Sequence, residues 1–152
     1  MELYSGFITS PCGIIEIRAN QNAVFSIQFV DTVTIANENF VISQSKQELQ
    51  EYFNGTRTEF TMPIQYIKSI YSTKVYEACM QIPYGTTTTY KNIAYTISSP
   101  QSVRAIGNVL HNNPILIVIP CHRIVHASHS KQGYKGGIWR KQLLLDLEKK
   151  YI

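Results

Sequence analysis

Residues 115–125 read Ile115-Leu116-Ile117-Val118-Ile119-Pro120-Cys121-His122-Arg123-Ile124-Val125. Five consecutive branched aliphatic residues predict a buried strand. Pro120 ends it, because proline cannot donate to a ladder and imposes its own backbone angle. The chain must turn there, and the turn delivers Cys121. A basic ring, His122, and a permanent cation, Arg123, follow at once. A thiol is a useful nucleophile only as the thiolate, which nearby imidazole and positive charge favour. The competing reading makes Cys121 one more small buried hydrophobe.

Outward from this segment the chain divides in two. Tyr4 to Thr9 and Gly13 to Arg18 alternate apolar and polar residues, as half-buried strands do, with Pro11-Cys12-Gly13 as the turn between them. Ala23 to Val30 predicts a third strand, whereas residues 31–41 have no clear pattern. Ser45 with Glu48 three residues on predicts a capped helix to Phe53, stopped by Gly55. Phe60, Met62 and Ile64 predict a short strand. Past a boundary near Tyr66 to Tyr71, Ser72 is expected to cap a helix to Ile82, broken by Pro83-Tyr84-Gly85. Thr89 is expected to cap a short helix from Tyr90 to Thr96. Ser102 to His111 predicts another, with Val103, Ile106, Val109 and Leu110 inward. Two short helices joined by a polar loop suggest a helix-turn-helix. The last helix, Ile138 to Lys150, is expected to pack Leu143, Leu144 and Leu147 inward, with Trp139 as a packing residue.

Charge follows the same division. Residues 1–60 hold three basic and seven acidic side chains, a formal −4; residues 61–152 hold eleven and three, a formal +8. The second half is suited to face a polyanion. At 152 residues and 44% hydrophobic composition the chain can build a core. No apolar run reaches the length of a membrane span. Met1-Glu2-Leu3-Tyr4 does not open a secretory signal. Three cysteines without paired spacing argue for a reducing cytosol rather than a disulfide framework.

Pro120-Cys121-His122-Arg123-Ile124 resembles the Pro-Cys-His-Arg-Val signature of the O6-alkylguanine-DNA alkyltransferases. Ile82 to Tyr90, Val103-Arg104-Ala105-Ile106-Gly107, Asn112-Asn113-Pro114, Gly133-Tyr134-Lys135-Gly136-Gly137 and Glu51 to Arg57 are similar to further motifs of that family, in the same order. The resemblance implies an α+β protein. It would have a small N-terminal α/β, ribonuclease-H-like subdomain over 1–68. A mainly helical, winged-helix-like C-terminal domain with the helix-turn-helix would span 69–152.

The resemblance also implies a chemistry. Cys121 would take an alkyl group from O6 of guanine in duplex DNA and keep it. His122, working through water, and Glu148 would activate the thiol, and Tyr90 would supply a proton to the departing purine. Asn113 would join the recognition helix to the active-site strand across the pocket. Backbone groups of Cys121, Ile124 and Lys135, with Tyr134, would receive the base. Lys135 departs from the small residue common there. Arg104 would enter the space vacated by the flipped nucleotide from the minor-groove side, with Ala105 and Gly107 allowing close approach. Ser102, Lys91, Arg123, His111, Lys131 and Lys135 are expected at or near the DNA backbone. No cofactor is implied. The first 70 residues hold one cysteine and no histidine, so they cannot assemble a zinc site alone. A monomer is expected. Two rivals remain, a Cys-His hydrolase and a helix-turn-helix protein that recognises damage without chemistry.

Overall fold

The computed structural model describes residues 2–99, 103–126 and 133–152, in two compact units. The first comprises residues 1–66 together with 114–116, and the second residues 67–113 and 117–152.

In the first unit, β1 (Tyr4–Ser10), β2 (Gly13–Ala19) and β3 (Val24–Val30) form an antiparallel sheet in chain order. The register pairs Ile8 with Ile15 and Ile17 with Ile27, so the fully buried isoleucines share one face. Gly13, at φ 110°, makes the tight turn between β1 and β2 that a residue with a Cβ would resist. The outer edge of β3 is covered by two short pieces of chain. Val24 bridges Ile64 and Ile27 bridges Ile115, both in parallel. That satisfies an edge which would otherwise offer unpaired backbone groups. Residues 60–64 therefore contribute one bridge rather than the expected strand.

Helix α1 (Phe40–Phe53) begins five residues before the expected cap. Asn39 caps it, its side chain accepting from Ile42 N at 3.0 Å. Ser45 lies inside, buried, its hydroxyl donating back to Val41 O at 2.7 Å. Glu48 does not reach back to a cap. It is buried and accepts from Thr61 N, Thr61 Oγ1, Met62 N and Gln44 Nε2.

The second unit contains α2 (Ile70–Met80), β4 (Thr88–Thr89), α3 (Tyr90–Thr96), α4 (Val103–His111), a 3₁₀ turn (Cys121–Arg123), β5 (Ile124–Val125) and α5 (Ile138–Lys150). Ser69, not Ser72, caps α2. α3 and α4 stand where the helix-turn-helix was expected. Ser102 and Lys131 fall outside the described residues. Residues 115–119 do not form a strand. All except Val118 are buried, so the run carries no face-specific period. Ile117 also sits at φ 73°, a left-handed conformation strained for a β-branched residue, and this breaks any ladder. Among the described residues no helix is long and apolar enough to cross a membrane.

Candidate active site

β4 and β5 set the site. Thr88 pairs with Ile124 and Thr89 with Val125, in parallel. Thr89 also caps α3, accepting from Asn92 N at 3.1 Å. Tyr90, the next residue, is thereby held beside the turn that carries Cys121. A pocket of about 330 Å³ opens there, with Tyr90, Cys121, Tyr134 and Lys135 in its wall and Arg104, Gly107 and His111 of α4 along its side. His126 also lines it, its ring 4.8 Å from that of Tyr90.

Cys121 is 5% exposed. Its Sγ accepts from Asn113 Nδ2 at 3.2 Å, and the same amide donates to Ile119 O at 2.9 Å. Asn113 is fully buried, so one side chain clamps both ends of the segment between Ile119 and the sulfur. Burial dominates the thiol and pushes it up to about 11, against the opposing pull of the Asn113 hydrogen bond and the ammonium groups of Lys141 and Lys135. Ionising it at pH 7 costs about 5 kcal/mol. His122 and Arg123, expected to favour the thiolate, are turned elsewhere.

Their partner is Glu148. His122 Nε2 lies 2.7 Å from Glu148 Oε2; Arg123 Nε and Nη2 donate to Oε1 and Oε2 at 2.8 and 3.0 Å. Gly85 N donates to Oε1 at 3.1 Å, and Arg123 Nη1 to Ile82 O at 2.8 Å. All three side chains are buried. Arg123 is therefore not available to DNA. A forked guanidinium facing a buried carboxylate is spent on neutralising it. Burial alone would raise the Glu148 carboxyl. The hydrogen bond of His122, with the charge that ring gains once it is protonated in acid, then the hydrogen bonds and charge of Arg123, overcome it and hold the group well below the usual carboxylate range. Burial lowers His122, and Glu148 does not reverse that, so the ring is neutral at pH 7. With Nε2–H given to Glu148, Nδ1 is the basic atom, and it has no partner among the described residues.

The sequence reading missed Lys141. It is 1% exposed, and its Nζ donates to Ile124 O at 2.6 Å and Gly133 O at 3.3 Å. Burial lowers its ammonium to about 8. The carbonyl of Ile124 thus already accepts one donor and keeps one lone pair. The buried face of α5 is Lys141, Leu144 and Glu148, at i, i+3 and i+7. Leu143 (37% exposed) and Trp139 (53%) face outward, against expectation. Helical spacing from Leu144 and Glu148 was the signal that could have found Lys141.

On α4, Ile106 and Leu110 are buried while Val103, Arg104 and Ala105 are exposed. A Cβ built on Gly107 meets nothing within 4 Å. Lys91 and His111 are exposed, and Lys135 is largely so.

Residues 71–150 match the family model described as the DNA binding domain of 6-O-methylguanine DNA methyltransferase, and residues 3–66 its ribonuclease-like domain. The inducible methylated-DNA–protein-cysteine methyltransferase of Bacillus subtilis is 44% identical over 103 residues, 68% of this chain; the match spans only 58% of that protein's length. The methylated-DNA–protein-cysteine methyltransferase of Mycobacterium leprae is 34% identical over 149 residues, covering 94% of this chain and 90% of that one. Among solved structures, Mycobacterium tuberculosis OGT in complex with DNA superposes with a TM-score of 0.88 at 33% identity, covering 95% of this chain and 92% of that one.

Proposed function

The chain belongs to the 6-O-methylguanine DNA methyltransferase family, and on that premise we propose that it repairs DNA directly, moving the alkyl group of O6-methylguanine onto Cys121. The observation that carries this reading is a buried sulfur in the wall of an open pocket, held by Asn113 and flanked by a phenol and two ammonium groups.

The target carbon is hidden in a stacked duplex, so the nucleotide must swing out. Arg104, exposed on α4 beside the pocket, is the side chain that fills the gap it leaves. Entry is from the minor groove, and phosphate contacts carry most of the affinity. Ala105, Gly107, Lys91 and His111 form or flank that surface. The thiol proton passes through one bridging water to His122 Nδ1, and Glu148 stabilises the resulting imidazolium. The thiolate attacks the methyl carbon, forming S–C as C–O6 breaks. The electron pair goes to the purine, which takes a proton at N3 from Tyr90; the imidazolium proton then restores the phenol through solvent. Sulfur ends as a thioether, which water does not readily cleave, so each molecule acts once. The protein works as a monomer in the cytosol.

Incubation with a duplex containing one O6-methylguanine should add one methylene to the Cys121 peptide, with no more than one methyl per molecule by mass spectrometry. Continued turnover would favour the hydrolase reading, and tight binding without modification the recognition reading.

Two variants on α4 separate binding from chemistry. Arg104→Ala should slow transfer from duplex DNA by about 10-fold or more while leaving transfer from free O6-methylguanine base unchanged. Gly107→Ala should stabilise the fold by about 0.5–1 kcal/mol in a thermal melt, because the added methyl meets open space and alanine suits a helix interior. It should weaken duplex binding in titration, because that space is where the DNA would approach.

A further inference from the structure

Two ammonium groups, Lys141 and Lys135, act on the Cys121 sulfur, and the Arg123 guanidinium stands close to it in sequence; the structure gives the three different duties. Arg123 is locked on Glu148, and Lys141 Nζ is held by two carbonyls. Neither lines the pocket. Lys135 does. Its Nζ makes one long hydrogen bond, 3.3 Å, to Asn113 O, the backbone of the residue whose side chain holds the sulfur. A single contact of that length is cheap to exchange. No carboxylate among the described residues pairs with Lys135.

Lys135 is largely solvated, and with no such partner to leave it can turn to negative charge that develops in the pocket. A donor so placed can stabilise charge that develops in a transition state. In the transfer the sulfur approaches the alkyl carbon to about 3–3.5 Å, and the departing oxygen lies one bond further along the same line, inside the pocket. We propose that the Lys135 ammonium meets that departing oxygen as a hydrogen-bond donor and is a further catalytic residue of the reaction. The proposal rests on the alkyl-transfer reading above. The S–C bond forms, the C–O6 bond breaks, and the charge left on O6 is held by Lys135, which keeps its proton; Tyr90 still protonates N3. The electrostatic surroundings agree. Burial and then Lys68 lower the Lys135 ammonium, while negative charge at Cys121 draws it back up. Besides Cys121, the other charged or titratable groups lining the pocket are Tyr90, Arg104, His111, His126 and Tyr134.

The test compares wild type with Lys135→Met, which keeps length without charge, and Lys135→Arg, which keeps charge. Single-turnover methyl transfer is measured from DNA-saturated complex, so lost affinity does not enter the rate. In parallel, iodoacetamide alkylation of Cys121 is followed on its peptide; iodide leaves without needing a donor. The expected result is a loss on the order of 10²-fold in methyl transfer for the methionine variant, recovered largely by arginine, with iodoacetamide alkylation changed by less than about threefold. A parallel loss in both reactions would overturn the proposal, because Lys135 would then act only by easing ionisation of the sulfur. Methyl transfer within about threefold of wild type, or a loss confined to duplex affinity, would overturn it too. A wild-type protein that never methylates Cys121 would instead refute the transfer reading itself.

Discussion

Cys121→Ala should bind methylated duplex within a few-fold of wild type and transfer nothing. The substitution removes only the acceptor at 3.2 Å from Asn113 Nδ2, which keeps its 2.9 Å bond to Ile119 O. The structural cost is therefore about 1 kcal/mol, while the chemical loss is total. Any methyl found on the variant would refute the assignment. Wild type has a pH dependence that follows from the same geometry. A thiol at about 11 that lost its proton to bulk water would react roughly tenfold faster for each pH unit up to that value. If the proton moves instead to His122 Nδ1, the reactive ion pair has the same net protonation as the resting pair, and the rate is flat near neutrality. It then falls in acid, below the ordinary histidine value of 6.5, as His122 itself takes a proton. It falls again above about pH 8, where Lys141 loses the charge that helps hold the thiolate. Single-turnover rates on a short duplex between pH 5 and 9 distinguish a plateau from a slope.

The parts legible in the sequence were those where one side chain pattern has one structural solution. The three strands of the sheet alternate because one face is buried, and the alternation survives in Ile8, Ile15, Ile17 and Ile27. The start of α1 was not legible, because Asn39 lies at the end of a polar stretch and Phe40, the first helical residue, is 81% exposed. The run 115–119 misled because uniform burial gives no period to read, and the left-handed turn at Ile117 carries no composition signal. In the candidate site, motif order drew attention to Cys121, Tyr90, Tyr134 and Lys135, which the fold gathers around one pocket, and to Asn113, His122 and Glu148 behind it. Charge was read less well. A sequence shows that Arg123 is a cation but not that a carboxylate 25 residues away waits for it. Lys141 was hidden for the related reason that charged residues are expected outside. On α5 the inward face contains two of them.

Glu148→Ala should be the most destabilising single change in this site, at about 3–5 kcal/mol, because it leaves the buried Arg123 guanidinium without a counter-charge. Gly85 N and His122 Nε2 lose their acceptor in the same step. For a chain of this size that is a fall in melting temperature on the order of 10 °C. The cost belongs to the orphaned partner, so removing that partner as well should restore much of it. Arg123→Met in the Glu148→Ala background should be neutral or stabilising, whereas alone it should be strongly destabilising. Additive losses in this cycle would show that the two side chains do not depend on each other. The same network contributes to the acid limit of the fold. The Glu148 carboxyl is held well below its ordinary 4.5 when folded and returns to that value on unfolding. Its stabilisation is full above pH 4.5 and is lost as pH falls towards the folded value. His122 acts in the same direction from a higher starting point. The unfolded ring takes a proton below 6.5 that the buried ring refuses, so stability begins to decline there. Wild type should thus lose stability in two stages on acidification, the first from about pH 6.5 and the second from about 4.5. Glu148→Gln, which lacks the carboxylate, should be less stable at neutral pH and show a smaller second stage, the remainder belonging to the buried Glu48 carboxylate, whose hydrogen bonds also lower it from 4.5; chemical unfolding at a series of pH values reads both.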